Sequence, residues 1–199
     1  MNTIDADIGK AIDILNDGGI VIFPTDTAFG IGCRVDVPSS VDRLFTLRKR
    51  PRSQATPVLV DSPDMALSYF VHPAPIVHHL MEKYWPGALT IISRCNPESV
   101  YSPVRGGTDT IGLRMPDHPT VNSILSGVGV AVLGPSANFH GEPTPFRMED
   151  LDPELVRKVD FVVPGICRTG NVSTVVDTTG SRVAIVRQGA VVLRKEDMV

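Results

Sequence analysis

The sequence predicts an α/β or α+β domain with a mixed, twisted sheet. Three observations carry that expectation. Helical and strand periodicities alternate along the chain, and several strands then follow one another late in it. The 199 residues suggest one domain, or at most two small ones. With 42% hydrophobic and 21% charged residues, the composition is globular, and a chain of this length buries roughly 70% of its unfolded surface.

The elements follow in order. Ile4, Ile8, Ile12 and Leu15 recur at helical spacing until Gly18 and Gly19 stop the run. Residues 20–23 (IVIF) read as a short buried strand ended by Pro24. Ser39 or Ser40 is placed to cap a helix carrying Val41, Leu44, Phe45 and Leu47. Residues 58–60 form a strand, and 64–70 and 74–84 form helices. Residues 88–93 (ALTIIS) form a strand after the Pro86-Gly87 turn. Strands at 110–114 and 130–133 flank a helix near 119–126. A helix over 148–159 follows a loop with Pro143 and Pro145, and strands at 161–163, 173–177 and 183–187 complete the set.

Charge and cysteines exclude several classes. The 19 Lys+Arg against 22 Asp+Glu give a net charge of −3, unlike the strongly basic balance of a general nucleic-acid binder. The cations are 14 Arg and 5 Lys, a bias that a GC-rich genome produces. Cys33, Cys95 and Cys167 are odd in number and far apart, and the five His form no ligand pattern. Neither a disulfide framework nor a zinc site is expected. The N-terminus lacks an apolar signal core, and no run approaches the ~18 residues of a membrane span. The expectation is a cytoplasmic protein with no membrane contact.

Polar residues gather at strand ends, where such sheets place ligands. Residues 24–32 (PTDTAFGIG) put hydroxyls and an acid after a buried strand, and taken alone they read as a capped turn sooner than as a ligand site. Residues 43–52 hold five of the 19 cations and no acid. They suit either a polyanion site or a solvated helix end. Residues 134–138 (GPSAN), 171–174, 186–189 and 108–116 add hydroxyls, a carboxamide and arginines at further strand ends. No P-loop, GxGxxG or Ser-His-Asp ordering occurs.

Seven segments of the chain, in order, resemble the YrdC-like family, the L-threonylcarbamoyladenylate synthases. FPTDTAFGIG (23–32) is similar to the family's YPT[DE]TVYGLG, and FTLRKRP (45–51) to FxxKxRP. WPGALTII (85–92) resembles WPGPLT, and TIGLRMPDHP (110–119) resembles VAVRxPxHP. GPSANFHGEPTP (134–145), VSTVVD (172–177) and IVRQGAV (185–191) resemble APSANxSGxPSPT, ESTVVD and ILRPGAI.

The resemblance implies a single YrdC/RibB-like domain over 1–199, the short form of the family. Its twisted open sheet would surround a concave, positively charged site. It implies that ATP, L-threonine and bicarbonate give threonylcarbamoyl-AMP and pyrophosphate. A downstream tRNA threonylcarbamoyl transferase complex would use the product. Mg²⁺ would arrive with ATP; no organic cofactor, zinc or protein-ligated metal is implied. Carried over by position, Thr27, Arg114, the backbone at Gly134, and Ser173 would hold threonine. Arg50, Gln54, Thr110, Ser136, Asn138, Thr144 and Arg187 would hold ATP. Arg48 and Arg50 would supply the phosphate electrostatics, with no covalent nucleophile. Arg48 stands at the family's Lys position, Phe29 at its Tyr, Val172 at its acid and Gln188 at its Pro. Two alternatives stay open: a paralogous enzyme using another amine or acyl-adenylate, and a non-enzymatic module that binds RNA weakly.

Overall fold

The computed structural model describes residues 3–198; Met1, Asn2 and Val199 of the expected 1–199 domain lie outside the described residues. Helix α1 (Thr3–Asn16) buries Ala11 and Leu15. β1 (Val21–Phe23) follows the glycine turn. Gly30–Gly32, expected as loop, forms β2, antiparallel to β1.

Helix α2 (Pro38–Leu47) starts differently from the expectation. Val37 is the N-cap, without a side-chain bond, and Pro38 fills the first turn, where no amide is needed. Ser40 lies inside the helix and donates to the Gly18 carbonyl at 2.7 Å. Next come β3 (Val58–Leu59), α3 (Pro63–Tyr69), α4 (Pro75–Tyr84), β4 (Leu89–Arg94), β5 (Thr110–Arg114), α5 (Pro119–Val128) and β6 (Val132–Leu133).

The expected helix over 148–159 is broken. A 3₁₀ turn at Met148–Asp150 ends, and α6 spans only Pro153–Val156. Asp152 accepts from the Glu154 and Leu155 amides, so its side chain starts a new helix there. β7 (Phe161–Val162), β8 (Thr174–Asp177) and β9 (Ala184–Arg187) follow.

The expected mixed pairing is present, divided between two sheets. One has three strands in the order β2-β1-β7; the other has six in the order β6-β3-β5-β4-β8-β9. β1–β7, β3–β5 and β4–β8 are parallel, and the remaining pairs are antiparallel. Bridges Gly30–Ser136 and Arg34–Val132 tie the sheets together.

Strand alternation decides which face becomes the site. Leu89, Ile91, Ile111, Leu113 and Val176 point into the main core, where Leu44, Phe45, Val77 and Leu80 of α2 and α4 cover them. Thr90, Ile92, Thr110, Gly112 and Val175 therefore face the other side, as the floor of a cavity. A second core joins α1 and α5 to β1, through Ala11, Leu15, Val121, Ile124, Val21 and Phe23.

Candidate active site

Two adjoining chambers lie on that free face. The first encloses about 140 Å³. It is bounded by the loop after β1, the end of α2, the loop after β6, and the starts and ends of β8 and β9. The second encloses about 210 Å³ over the floor of β4, β5 and β8. Neither alone reaches the roughly 300 Å³ typical of a small-molecule pocket. Arg50, Pro57, Thr90 and Arg187 border both.

The loop after β1 is locked by Thr25. Its hydroxyl accepts from the Thr27 and Ala28 amides and donates to the Ala28 carbonyl at 2.7 Å. Thr27 Oγ1 lies 3.0 Å from Thr25 Oγ1. It accepts from Arg114 Nη1 at 2.7 Å. Arg114 ends β5, is 6% exposed, and donates through Nε to the Gly87 carbonyl. Its Nη2 is paired with Asp26, itself 4% exposed. Burial pulls the Arg114 pKa below the ordinary arginine value, and Asp26 opposes that pull. The Asp26 carbonyl also accepts from the Arg168 and Thr169 amides.

Arg48 and Arg50 reach the same space from the end of α2. The helix closes with paired bonds from Lys49 N to Thr46 O and from Arg50 N to Phe45 O. This is the Schellman pattern, in which the residue after the C-cap is left-handed and most often Gly. Here it is Lys49, at φ 55°. That reversal sends Arg48 inward and Arg50 across the chamber mouth. Arg48 is 3% exposed. Its Nε and Nη2 donate to the backbone carbonyl and Oδ1 of Asn138, at 3.0 and 3.3 Å. Its Nη1 is buried without a partner, and among the described residues no carboxylate pairs with it. Burial, and then the neighbouring Arg50, lower its pKa to about 10. Burial also lowers Arg50, whose guanidinium donates to the Gln54 and Ala55 carbonyls.

The five-cation cluster read from residues 43–52 is dispersed in the fold. Arg43 is paired with Asp160 at 2.7 Å, Arg52 with Asp42 at 3.0 Å, and Lys49 lies over the Phe139 ring. Only Arg48 and Arg50 of the five line the first chamber.

Of the other expected residues, Thr27, Arg114, Gly134, Ser136, Thr144, Ser173 and Arg187 line the first chamber. The Gly134 amide already donates to the Pro57 carbonyl, so its own carbonyl is the group left for a ligand. Thr110 lines the second chamber. Asn138 stands behind the wall, accepting from Arg48 and from Ser136 Oγ at 2.6 Å. Gln54 is exposed and reaches Arg50 through its backbone carbonyl, and its side chain lines neither chamber. Arg187 Nη2 donates to the carbonyl and the hydroxyl of Ser173.

Two residues escaped the sequence reasoning. Asp26 sits in a segment already singled out, but its partner Arg114 is 88 residues away. Thr90 stands between the apolar Leu89 and Ile91 of β4, the one signal available. No group of three or more His, Cys, Asp or Glu able to hold a metal occurs among the described residues. Within the same residues no helix is long and apolar enough to cross a membrane.

The chamber thus sets one charge-balanced arginine, Arg114, beside Arg48, Arg50 and Arg187, which no carboxylate pairs with among the described residues. The family model Sua5_yciO_yrdC, described as "Telomere recombination", matches residues 13–189. A threonylcarbamoyl-AMP synthase of Bacillus subtilis is 32% identical over 197 residues, 96% of this chain and 56% of that protein. The uncharacterized protein YciO of Escherichia coli is 26% identical over 184 residues, 92% of this chain and 88% of that one. The crystal structure of P. abyssi Sua5 complexed with L-threonine matches with a TM-score of 0.85 at 27% identity, over 92% of this chain and 54% of that one. The chain thus spans about half the length of the B. subtilis and P. abyssi relatives. A family match that runs from α1 to the end of β9 takes in every strand end that builds the two chambers, and the chain belongs to the Sua5/YciO/YrdC family.

Proposed function

We propose that this chain is an L-threonylcarbamoyladenylate synthase. It would join ATP, L-threonine and bicarbonate into threonylcarbamoyl-AMP and release pyrophosphate. One observation carries the reading. Arg48 is a buried guanidinium with no carboxylate, in the same chamber where Arg114 is already balanced by Asp26. A polyphosphate supplies the missing charge at the first; a single amino-acid carboxylate suits the second.

Threonine would sit against Thr27, Arg114, Ser173 and the Gly134 carbonyl. The ATP phosphates would lie among Arg48, Arg50, Ser136, Thr144 and Arg187, with Mg²⁺ carried in on ATP. The nucleoside would rest in the second chamber beside Thr110, over Ile92, Gly112 and Val175. Asn138 would act from behind, by aiming Arg48 and Ser136, and Gln54 by its carbonyl on Arg50. The reaction needs no covalent enzyme group. A carbamate formed on the threonine amine attacks the α-phosphate, and the work is positioning plus electrostatic stabilisation. The product is a reactive mixed anhydride, so a tRNA threonylcarbamoyl transferase complex would take it up. We place the reaction in the cytoplasm and in one YrdC-like domain spanning 1–199.

The test is incubation with threonine, bicarbonate, Mg²⁺ and radiolabelled ATP. Pyrophosphate and a threonine-dependent adenylate are expected; neither product, where a known synthase works, overturns the reading. A second reading rests on Arg48 at the family's Lys position: a related enzyme for another amine or acyl-adenylate. A screen of amino acids for ATP-dependent thermal stabilisation separates the two, because it would rank another compound above threonine. Weak RNA binding is the least supported alternative, since three of the five cations at 43–52 are paired or stacked. A steep fall of binding with salt would revive it.

A further inference from the structure

Thr90 is a polar side chain set between the apolar Leu89 and Ile91 near the start of β4, and it is 2% exposed. It faces the chambers because Leu89 and Ile91 face the core. It borders both chambers, together with Arg50, Pro57 and Arg187. The boundary between the chambers is therefore formed by two arginines, one proline and one hydroxyl.

That hydroxyl is not isolated. Thr90 Oγ1 lies 3.0 Å from Ser173 Oγ. Arg187 Nη2 donates to the same Ser173 Oγ at 3.0 Å. Each hydroxyl carries one proton and two lone pairs. One of the two protons lies between the oxygens. Arg187 takes a lone pair of Ser173 and removes no proton. Whichever way the pair is polarised, one O–H is left over, on a group that lines the first chamber; only Thr90 of the two also borders the second. If Thr90 donates to Ser173, the free O–H is that of Ser173; in the other case it is that of Thr90.

We propose that Thr90 is a further catalytic residue: it accepts from Ser173 and presents its own O–H, between Arg50 and Arg187, to the oxygens exchanged at the α-phosphate. The inference rests on the synthase reading. In that step a carbamate oxygen forms a bond to the α-phosphorus. The bond from that phosphorus to the bridging oxygen of pyrophosphate breaks, and the electron pair leaves with pyrophosphate. No proton is transferred. The hydroxyl donates a hydrogen bond to charge that grows on these oxygens, which is where a fixed donor lowers the barrier most.

Thr90→Val keeps the shape and removes the hydroxyl; Thr90→Ser keeps the hydroxyl. The measurement is the rate of pyrophosphate release with both substrates varied. For Thr90→Val we expect kcat to fall about 100-fold, the usual cost of one such donor, with both KM values within about threefold of wild type. Thr90→Ser should recover most of the rate. Three results overturn the proposal: an unchanged kcat in the Val variant, a loss that appears only in KM, or a Ser variant as slow as the Val variant. The last is the signature of a packing role. A wild-type protein that releases no pyrophosphate overturns the synthase reading, and this inference with it.

Discussion

The two buried arginines of the first chamber are held in opposite ways. Arg114 has a carboxylate, a hydroxyl and a carbonyl around it, so its charge is balanced before any ligand arrives. Arg48 has two neutral oxygens of Asn138 and one donor without a partner. The difference teaches what each end is for. A balanced guanidinium is a fixed, preorganised fork that the fold relies on. An unbalanced one is costly to the empty protein and is relieved by an anion.

Substitutions can break or sharpen that contrast. Asp26→Ala should have the largest effect, because it leaves Arg114 buried and unpaired. We expect a loss of about 3–5 kcal/mol in urea unfolding. A loss under 1 kcal/mol would mean that Asp26 is not what balances Arg114. Arg50→Ala comes next, and its effect is on the ligand rather than the fold. Saturating Mg-ATP at a hundred times its Kd should stabilise the wild type by about 2.7 kcal/mol. The variant should lose that shift while its own stability changes by less than about 1 kcal/mol. Arg48→Met should change the stability of the empty protein by less than about 1 kcal/mol, since it removes an unbalanced charge. Its affinity for ATP should nonetheless fall more than about tenfold. An Arg48→Met variant as unstable as Asp26→Ala would erase the distinction between the ends. Lys49→Gly should be the smallest: a gain of about 0.5 kcal/mol, as the left-handed backbone at φ 55° is relieved. A loss would show that the contact of Lys49 with Phe139 outweighs the strain.

The same contrast explains what the chain made legible. Strand alternation was readable because Leu89, Ile91, Ile111 and Leu113 mark the core face directly. The motif residues at strand ends were readable for the same local reason, and most of them line the chambers. Counting cations over 43–52 misled, because charge balance is tertiary. Asp160 reaches Arg43 from 117 positions away, and nothing local to Arg43 announces it. The Asp26–Arg114 pair was hidden by the same separation. The helix expected over 148–159 failed for a local reason that could have been weighed: Asp152-Pro153 is a start signal, not an interior. Asn138 and Gln54 were placed in the site by motif alone, and motif position does not say which side of a wall a side chain occupies.

The Arg48–Asn138 fork has a consequence for how the surrounding chain can vary. One guanidinium holds the backbone and the side chain of a residue 90 positions away. The Arg48 carbonyl accepts from the His140 amide, Asn138 Nδ2 donates to Glu142, and the Phe29 amide donates to Pro145. The proline-containing segment is thus riveted to the charge it surrounds. An inserted or deleted residue between Asn138 and Pro145 would move the seat of a guanidinium, not merely lengthen a surface loop. Loop length at this place is part of the electrostatics, and the two can be re-engineered only as a pair.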